Sequence, residues 1–170
     1  MVNIWLFLQA VYFHDKNVFI SALSGIHHYF TTFTNSNSKM IKYDRFQLSN
    51  GLRVLFHKDE TTPMVVVNTL YDVGARDEDE SKTGFAHLFE HLMFGGSVNI
   101  PNYDSPLQSV GGENNAFTTP DLTNYYISLP YQNLETAFWL ESDRMMSLAF
   151  NPQSLEVQRK VVIEEFKQRY

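Results

Sequence analysis

The chain has 170 residues, of which 44% are hydrophobic and 15% aromatic, so it can bury the core of one domain. Its formal net charge is −6 and it contains no basic stretch, which argues against nucleic-acid binding. Because the chain has no cysteine, it offers no disulfide and no thiolate, and any metal site must use nitrogen and oxygen ligands.

Residues 1–39 differ in composition from the rest of the chain. Their apolar run over 4–13 is shorter than a membrane span, and no Lys or Arg precedes it as in a signal peptide. We therefore expect no membrane partner. We expect the segment to be either an amino-terminal extension or a misassigned start, with the true start at Met40.

From Met40 onward the pattern predicts strands interspersed with helices. An Asn-Gly pair between alternating apolar residues predicts a hairpin of strands over 46–48 and 52–56. The β-branched run Met64–Tyr71 predicts a buried strand. Later patterns predict a helix over 103–110, strands over 115–119 and 125–129, and helices over 134–148 and from 154 onward. This order predicts an α+β fold in which helices pack on one face of a sheet.

The most informative motif is the H-x-x-E-H stretch from His87 to His91, which lies in a helical pattern. Residues four apart in a helix lie on the same face, so both imidazoles can reach one metal ion. Glu90 is better placed to take a proton from a metal-bound water than to serve as a third ligand. We expect Ser81 or Thr83 to cap this helix. The alternative is that the two histidines are partly buried core residues without a metal.

A catalytic zinc ion needs a third protein ligand and an open position for water. The carboxyl-terminal helical pattern offers two neighbouring carboxylates, Glu164 and Glu165. Adjacent helical side chains point about 100° apart, so at most one of the two can face the metal. The spacing alone does not choose between them.

These motifs resemble those of the pitrilysin/insulinase family of zinc peptidases, the inverzincins, over about residues 40–170. Besides the inverted zinc motif, the segments 111–118 and 123–126 resemble the family's substrate-binding edge strand and the strand beside it. The spacing from Arg159 to Glu165 resembles the family's helix that carries the third ligand.

By this resemblance, His87, His91 and Glu165 would bind one Zn²⁺ ion per chain and Glu90 would be the general base. The edge strand would hold a peptide or unfolded polypeptide substrate; its residues are Asn115, Ala116 and Phe117. The implied activity is that of a zinc-dependent metalloendopeptidase. The alternative is a non-catalytic, metal-binding or scaffolding member of the family.

The resemblance also implies a mixed, largely antiparallel sheet with helices on one face, of which residues 40–170 are the amino-terminal portion. A second homologous domain of the full-length protein is the expected partner, a homodimer is the alternative, and the fragment alone is expected to be weakly active or inactive. We expect a cytoplasmic location, with the periplasm as the alternative. One departure is Gln158, where many members carry a second glutamate, so that charge is missing here.

Overall fold

The computed structural model describes residues 4–10, 41–149 and 151–169. Within these ranges it contains one six-stranded sheet, four α-helices and two short 3₁₀ turns. The strands are β1 (Ile4–Ala10), β2 (Asp44–Gln47), β3 (Arg53–Lys58), β4 (Met64–Tyr71), β5 (Glu113–Thr118) and β6 (Thr123–Pro130). The helices are α1 (Phe85–Leu92), α2 (Asp104–Ser109), α3 (Leu134–Met146) and α4 (Pro152–Arg169), and the 3₁₀ turns are Ala75–Asp77 and Tyr131–Asn133.

The sheet has the strand order β2-β3-β1-β4-β6-β5. Only the pairing of β1 with β3 is parallel among the described strands, and the other four pairings are antiparallel. The predicted hairpin is present as β2 and β3, with Gly51 in its turn at a φ of 90° that favours glycine. Among the described residues, no helix combines the length and apolarity needed to cross a bilayer.

The core lies between the sheet and the helices on one of its faces. Along β4, side chains alternate between buried and half-buried positions, as expected for a strand with one face on a core. Val65 pairs with Leu129, and Val67 pairs with Ile127, so these four buried side chains share one face. The helices bury their apolar residues in the same core; these are Leu107, Leu134, Ala137 and Leu140. The predicted α+β fold with a largely antiparallel sheet is confirmed.

A buried polar cluster joins α3 to the sheet. The Glu141 carboxylate accepts hydrogen bonds from the Thr69 hydroxyl at 2.9 Å and the Tyr103 hydroxyl at 2.6 Å. It also pairs with Arg144 Nη2 at 2.6 Å. The Arg144 guanidinium lies 4.8 Å from the centre of the Tyr103 ring and 4.5 Å from that of Tyr125. Burial raises the pKa of both tyrosines, so both stay neutral at physiological pH and Tyr103 stays a hydrogen-bond donor.

The Glu141→Gln variant should lower the free energy of unfolding by about 3–5 kcal/mol, because it leaves the buried Arg144 charge without its counter-ion. Chemical denaturation of the variant and the parent chain measures this difference. The matched control is Glu156→Gln, which breaks a half-exposed pair with Arg159 and should cost no more than about 1 kcal/mol. Equal losses of unfolding free energy in the two variants would contradict the conclusion that the buried pair stabilises the fold more than the half-exposed pair does.

β1 was not predicted from the sequence, which favoured an extension over residues 1–39. In the structure it lies inside the sheet, with β3 on one side and β4 on the other. Its backbone register pairs Leu8 with Phe56 and with Val67. Residues 4–10 thus lie between two strands that are consecutive in the sequence beyond residue 40. The domain boundary at residue 40 stays a prediction.

A proline in β1 tests whether this segment belongs to the folded sheet. Leu8→Pro removes a backbone donor from a strand with neighbours on both sides, and the orphaned carbonyl should cost about 1–3 kcal/mol of stability. Thermal unfolding followed by circular dichroism measures the loss. The control is Glu80→Pro, because Glu80 follows Asp79 in a turn closed by the Lys82 N–H, where proline is favoured. An unchanged melting temperature for Leu8→Pro would mean that the sheet forms without β1.

Candidate metal centre

The helix that carries the motif, α1, begins after Gly84, which has a φ of 92°. The Glu78 carboxylate accepts hydrogen bonds from the backbone N–H groups of Gly84 and Ala86, both at 2.7 Å. The predicted cap at Ser81 or Thr83 is therefore wrong. The negative charge of Glu78 satisfies two free N–H groups and complements the positive end of the helix dipole. This contact fixes the start of α1 and hence the directions of the motif side chains.

The second element of the site is α4, which packs against α1. Asn151 caps its start: its Oδ1 accepts from the Ser154 N–H at 2.9 Å, and the Ser154 hydroxyl accepts from the Asn151 N–H at 3.0 Å. Pro152 occupies the first helical position, where its missing N–H has no helical partner to lose. α4 therefore starts two residues earlier than the sequence pattern predicted.

Three side chains from these two helices converge. His91 Nε2 lies 3.2 Å from His87 Nε2. Glu165 Oε2 lies 3.2 Å from His87 Nε2 and 3.5 Å from His91 Nε2. The side chain of His87 is 32% exposed, that of His91 is 19% exposed and that of Glu165 is 43% exposed. The group is therefore partly buried yet open on one side.

The triangle of potential ligand atoms has the size that a tetrahedral zinc ion requires. Two atoms that each lie 2.0–2.1 Å from a tetrahedral ion are roughly 3.3 Å apart. All three distances in the site fall close to that value. Two imidazole nitrogens and one carboxylate oxygen are also a donor set that catalytic zinc sites use. The residues present therefore fit a zinc ion, with an open side for water or substrate.

The choice between the two neighbouring glutamates follows from the helix geometry. Glu165 points toward the two histidines, whereas Glu164 pairs with Lys167 at 2.7 Å and has 63% of its side chain exposed. The structure thus brings together the three residues predicted to bind the metal. Their roles as ligands stay a prediction.

Glu90 lies on α1 within the motif, and its side chain contacts the sheet. Its Oε2 accepts a hydrogen bond of 2.5 Å from the Thr118 hydroxyl at the end of β5. Sequence reasoning missed Thr118. Strand alternation could have found it, because Thr118 lies two residues from Ala116 and on the same face of β5.

β5, predicted to bind substrate, is the last strand of the sheet, so one edge has no neighbour among the described strands. Phe117 is 48% exposed and does not belong to the core. Ala116 is half-buried on the helix-covered face, and the Asn115 Oδ1 atom accepts a hydrogen bond from the Ala116 N–H at 2.8 Å. An exposed edge with a small residue beside an aromatic one is a surface to which an extended peptide can add.

Comparison with known proteins identifies the family of this chain. The sequence profile described as Insulinase (Peptidase family M16) matches residues 53–169. The chain belongs to this family. The predicted resemblance to pitrilysin and insulinase peptidases is thereby confirmed.

Two relatives and one solved structure illustrate the family's range. The zinc protease PqqE of Helicobacter pylori is 33% identical over 138 residues, which make up 79% of this chain and 31% of that protein. Cytochrome b-c1 complex subunit 1, mitochondrial, of Bos taurus is 32% identical over 124 residues, or 72% of this chain and 26% of that protein. A crystal structure of pitrilysin matches with a TM-score of 0.70 and 26% identity, covering 81% of this chain and 15% of that chain.

This chain of the insulinase family therefore spans less than a third of the length of either relative.

Elemental analysis of the purified chain should find about one zinc per chain. His91→Ala should lose the metal, because it removes one of the three donors. Glu165→Gln should weaken affinity by more than about tenfold, since changes that merely support a ligand already cost 10–100-fold. The matched control is Glu164→Gln, which should keep the zinc because Glu164 faces away from the site. Equal zinc loss in the two glutamine variants would contradict the assignment of Glu165.

Proposed function

We propose that this chain forms the zinc-binding part of a metalloendopeptidase that hydrolyses peptide bonds with a metal-activated water. The observation that carries the proposal is the mutual spacing of 3.2–3.5 Å among the donor atoms of His87, His91 and Glu165. Membership in a peptidase family and the likeness to a zinc protease support it.

The proposed substrate is a peptide or unfolded polypeptide that binds as an added strand along β5. Main-chain hydrogen bonds at the free edge would supply affinity that depends little on sequence. Phe117 would contribute an apolar contact for one substrate side chain, because it is half-exposed beside that edge. Ala116 and Asn115 would line the approach of the substrate backbone.

When bound, the zinc ion supplies a Lewis acid that lowers the pKa of water to roughly 7 and polarises a carbonyl group. Glu90 acts as the general base: it accepts a proton from the attacking water and later donates a proton to the departing amine nitrogen. The Thr118 hydroxyl occupies one oxygen of the carboxylate and leaves the other to exchange protons. His87, His91 and Glu165 hold the ion and keep one side of the site open.

The full-length protein is proposed to contain a second homologous domain that closes over the substrate. The chain spans 31% of the length of PqqE, which leaves room for such a domain in a protein of similar size. A homodimer is the alternative source of the second half. By this proposal the 170-residue chain alone is weakly active or inactive.

A second candidate function is that of a non-catalytic metal-binding or scaffolding member. The likeness to a subunit of the cytochrome b-c1 complex favours it, because that protein is named as part of an assembly. The complete set of His87, His91, Glu165 and Glu90 favours the peptidase instead. Peptide hydrolysis by the full-length protein separates the two functions.

Glu90→Gln in the full-length protein should keep its zinc and lower peptide hydrolysis by about 10²–10⁴-fold, because glutamine cannot accept the proton. A fluorogenic peptide assay measures the rate, and elemental analysis beside it measures the metal. Glu164→Gln serves as a control that changes charge on the neighbouring helix without touching the site. Turnover retained in Glu90→Gln would refute its role as base. A zinc-bound wild-type protein without any turnover would favour the scaffold.

A further inference from the structure

Thr118 is the one described residue whose side chain hydrogen-bonds the Glu90 carboxylate. Its Oγ1 atom donates to Glu90 Oε2 at 2.5 Å, within the range of a strong O–H···O⁻ bond. The two residues come from different elements, since Glu90 lies on α1 and Thr118 is the last residue of β5. The bond therefore joins the motif helix directly to the edge strand.

Both ends of this bond are held in place independently of each other. Thr118 pairs with Thr123 in the ladder between β5 and β6. The turn that follows is closed by Thr119, whose hydroxyl accepts from the N–H groups of Asp121 and Leu122. On the other side, the Glu78 carboxylate fixes the start of α1. The position of β5 thus sets the direction of the Thr118 hydroxyl, and the position of α1 sets the direction of the Glu90 carboxylate.

The hydrogen-bonding capacity of the Thr118 hydroxyl limits how it can act on Glu90. A threonine hydroxyl carries one proton, and donating it to Oε2 uses one lone pair of that atom and leaves both lone pairs of Oε1 as acceptors. It also removes rotational freedom from a glutamate side chain, which otherwise has several rotamers. A catalytic base held in one orientation reacts faster than one that must first be oriented.

We propose that Thr118 is a positioning residue that orients Glu90 for proton transfer. The effect of Thr118 on kcat rests on the proposed peptidase function. Its effect on the position of the Glu90 carboxylate does not. Because Ala116 lies on the same face of β5, two residues before Thr118, the strand proposed to bind the peptide also orients the base. Glu90 would therefore keep its position relative to β5 when a substrate binds along the free edge of that strand.

Three substitutions test the proposal in the zinc-bound protein. Thr118→Val keeps the shape of the side chain and removes the hydroxyl, and Thr118→Ser keeps the hydroxyl. The matched control is Thr123→Val, because Thr123 is the ladder partner of Thr118 and its hydroxyl donates to the Val73 carbonyl instead of Glu90. Should the Thr118→Val chain fail to fold, Thr118→Ala replaces it, since the smaller side chain fits the same space.

In the full-length protein, Thr118→Val should lower kcat by roughly ten- to a hundredfold, as expected for one lost hydrogen bond to a charged group. KM should stay within about twofold, because substrate binding does not use this bond. Thr118→Ser should restore most of kcat, and Thr123→Val should keep it. Zinc content should be unchanged in all variants, because none of them removes a proposed ligand.

Crystal structures of the 170-residue chain with zinc, with and without Thr118→Val, give a second readout that needs no activity. The Glu90 carboxylate should leave its single position in the valine variant. A carboxylate that stays in place, or an equal fall in kcat for Thr123→Val, would overturn the inference. A full-length wild type that binds zinc but hydrolyses no peptide would overturn the proposed function, and the crystal structures would still decide whether Thr118 fixes Glu90.

Discussion

The site depends on the two-sided packing of one short helix. α1 contacts α4 on one side and the edge of the sheet at β5 and β6 on another. Its histidine pair faces α4, where Glu165 completes the donor triangle, while Glu90 faces β5 and meets Thr118. Eight residues of helix thus present the proposed metal ligands toward α4 and the proposed base toward β5. If either contact moved, the proposed base would lose its present position relative to the proposed ligands.

The stability of this arrangement comes from the layer beneath it. An apolar core of β4, β6 and α3 side chains carries the sheet, and the buried hydrogen bond from Thr69 of β4 to Glu141 ties α3 to it. The Arg144 guanidinium packs on Tyr125, which is the ladder partner of Ala116 in β5. A chain of direct contacts therefore runs from the last turn of α3 to the proposed substrate strand. These contacts connect the edge strand to the core of the domain.

Most of the fold followed from local patterns. The predicted strand Met64–Tyr71 has the same bounds in the structure, because alternation and β-branched residues act within the strand itself. Two members of the donor triangle were predictable from local spacing, because residues four apart in a helix place His87 beside His91. Spacing could not choose between Glu164 and Glu165. The family resemblance was needed for that choice.

What the sequence could not indicate were contacts between distant segments. The cap supplied by Glu78, the bond from Thr118 and the pairing of β1 all depend on how elements meet in space. Each of these contacts involves residues whose local sequence pattern is compatible with several structural roles. Glu78 belongs to the acidic stretch over residues 77–80, whose composition gives no sign of a helix cap, and its carboxylate nevertheless bonds the start of the motif helix.

The turn between β5 and β6 has a consequence for how this protein can change in length. Side chains of a strand alternate strictly, so one inserted residue between Thr118 and Thr123 would shift the ladder by one position. Phe117 would then turn into the space under α1, and Thr118 would point to the opposite face of the sheet. Natural variation in length should therefore be purged at this four-residue turn, whose residues are Thr119, Pro120, Asp121 and Leu122.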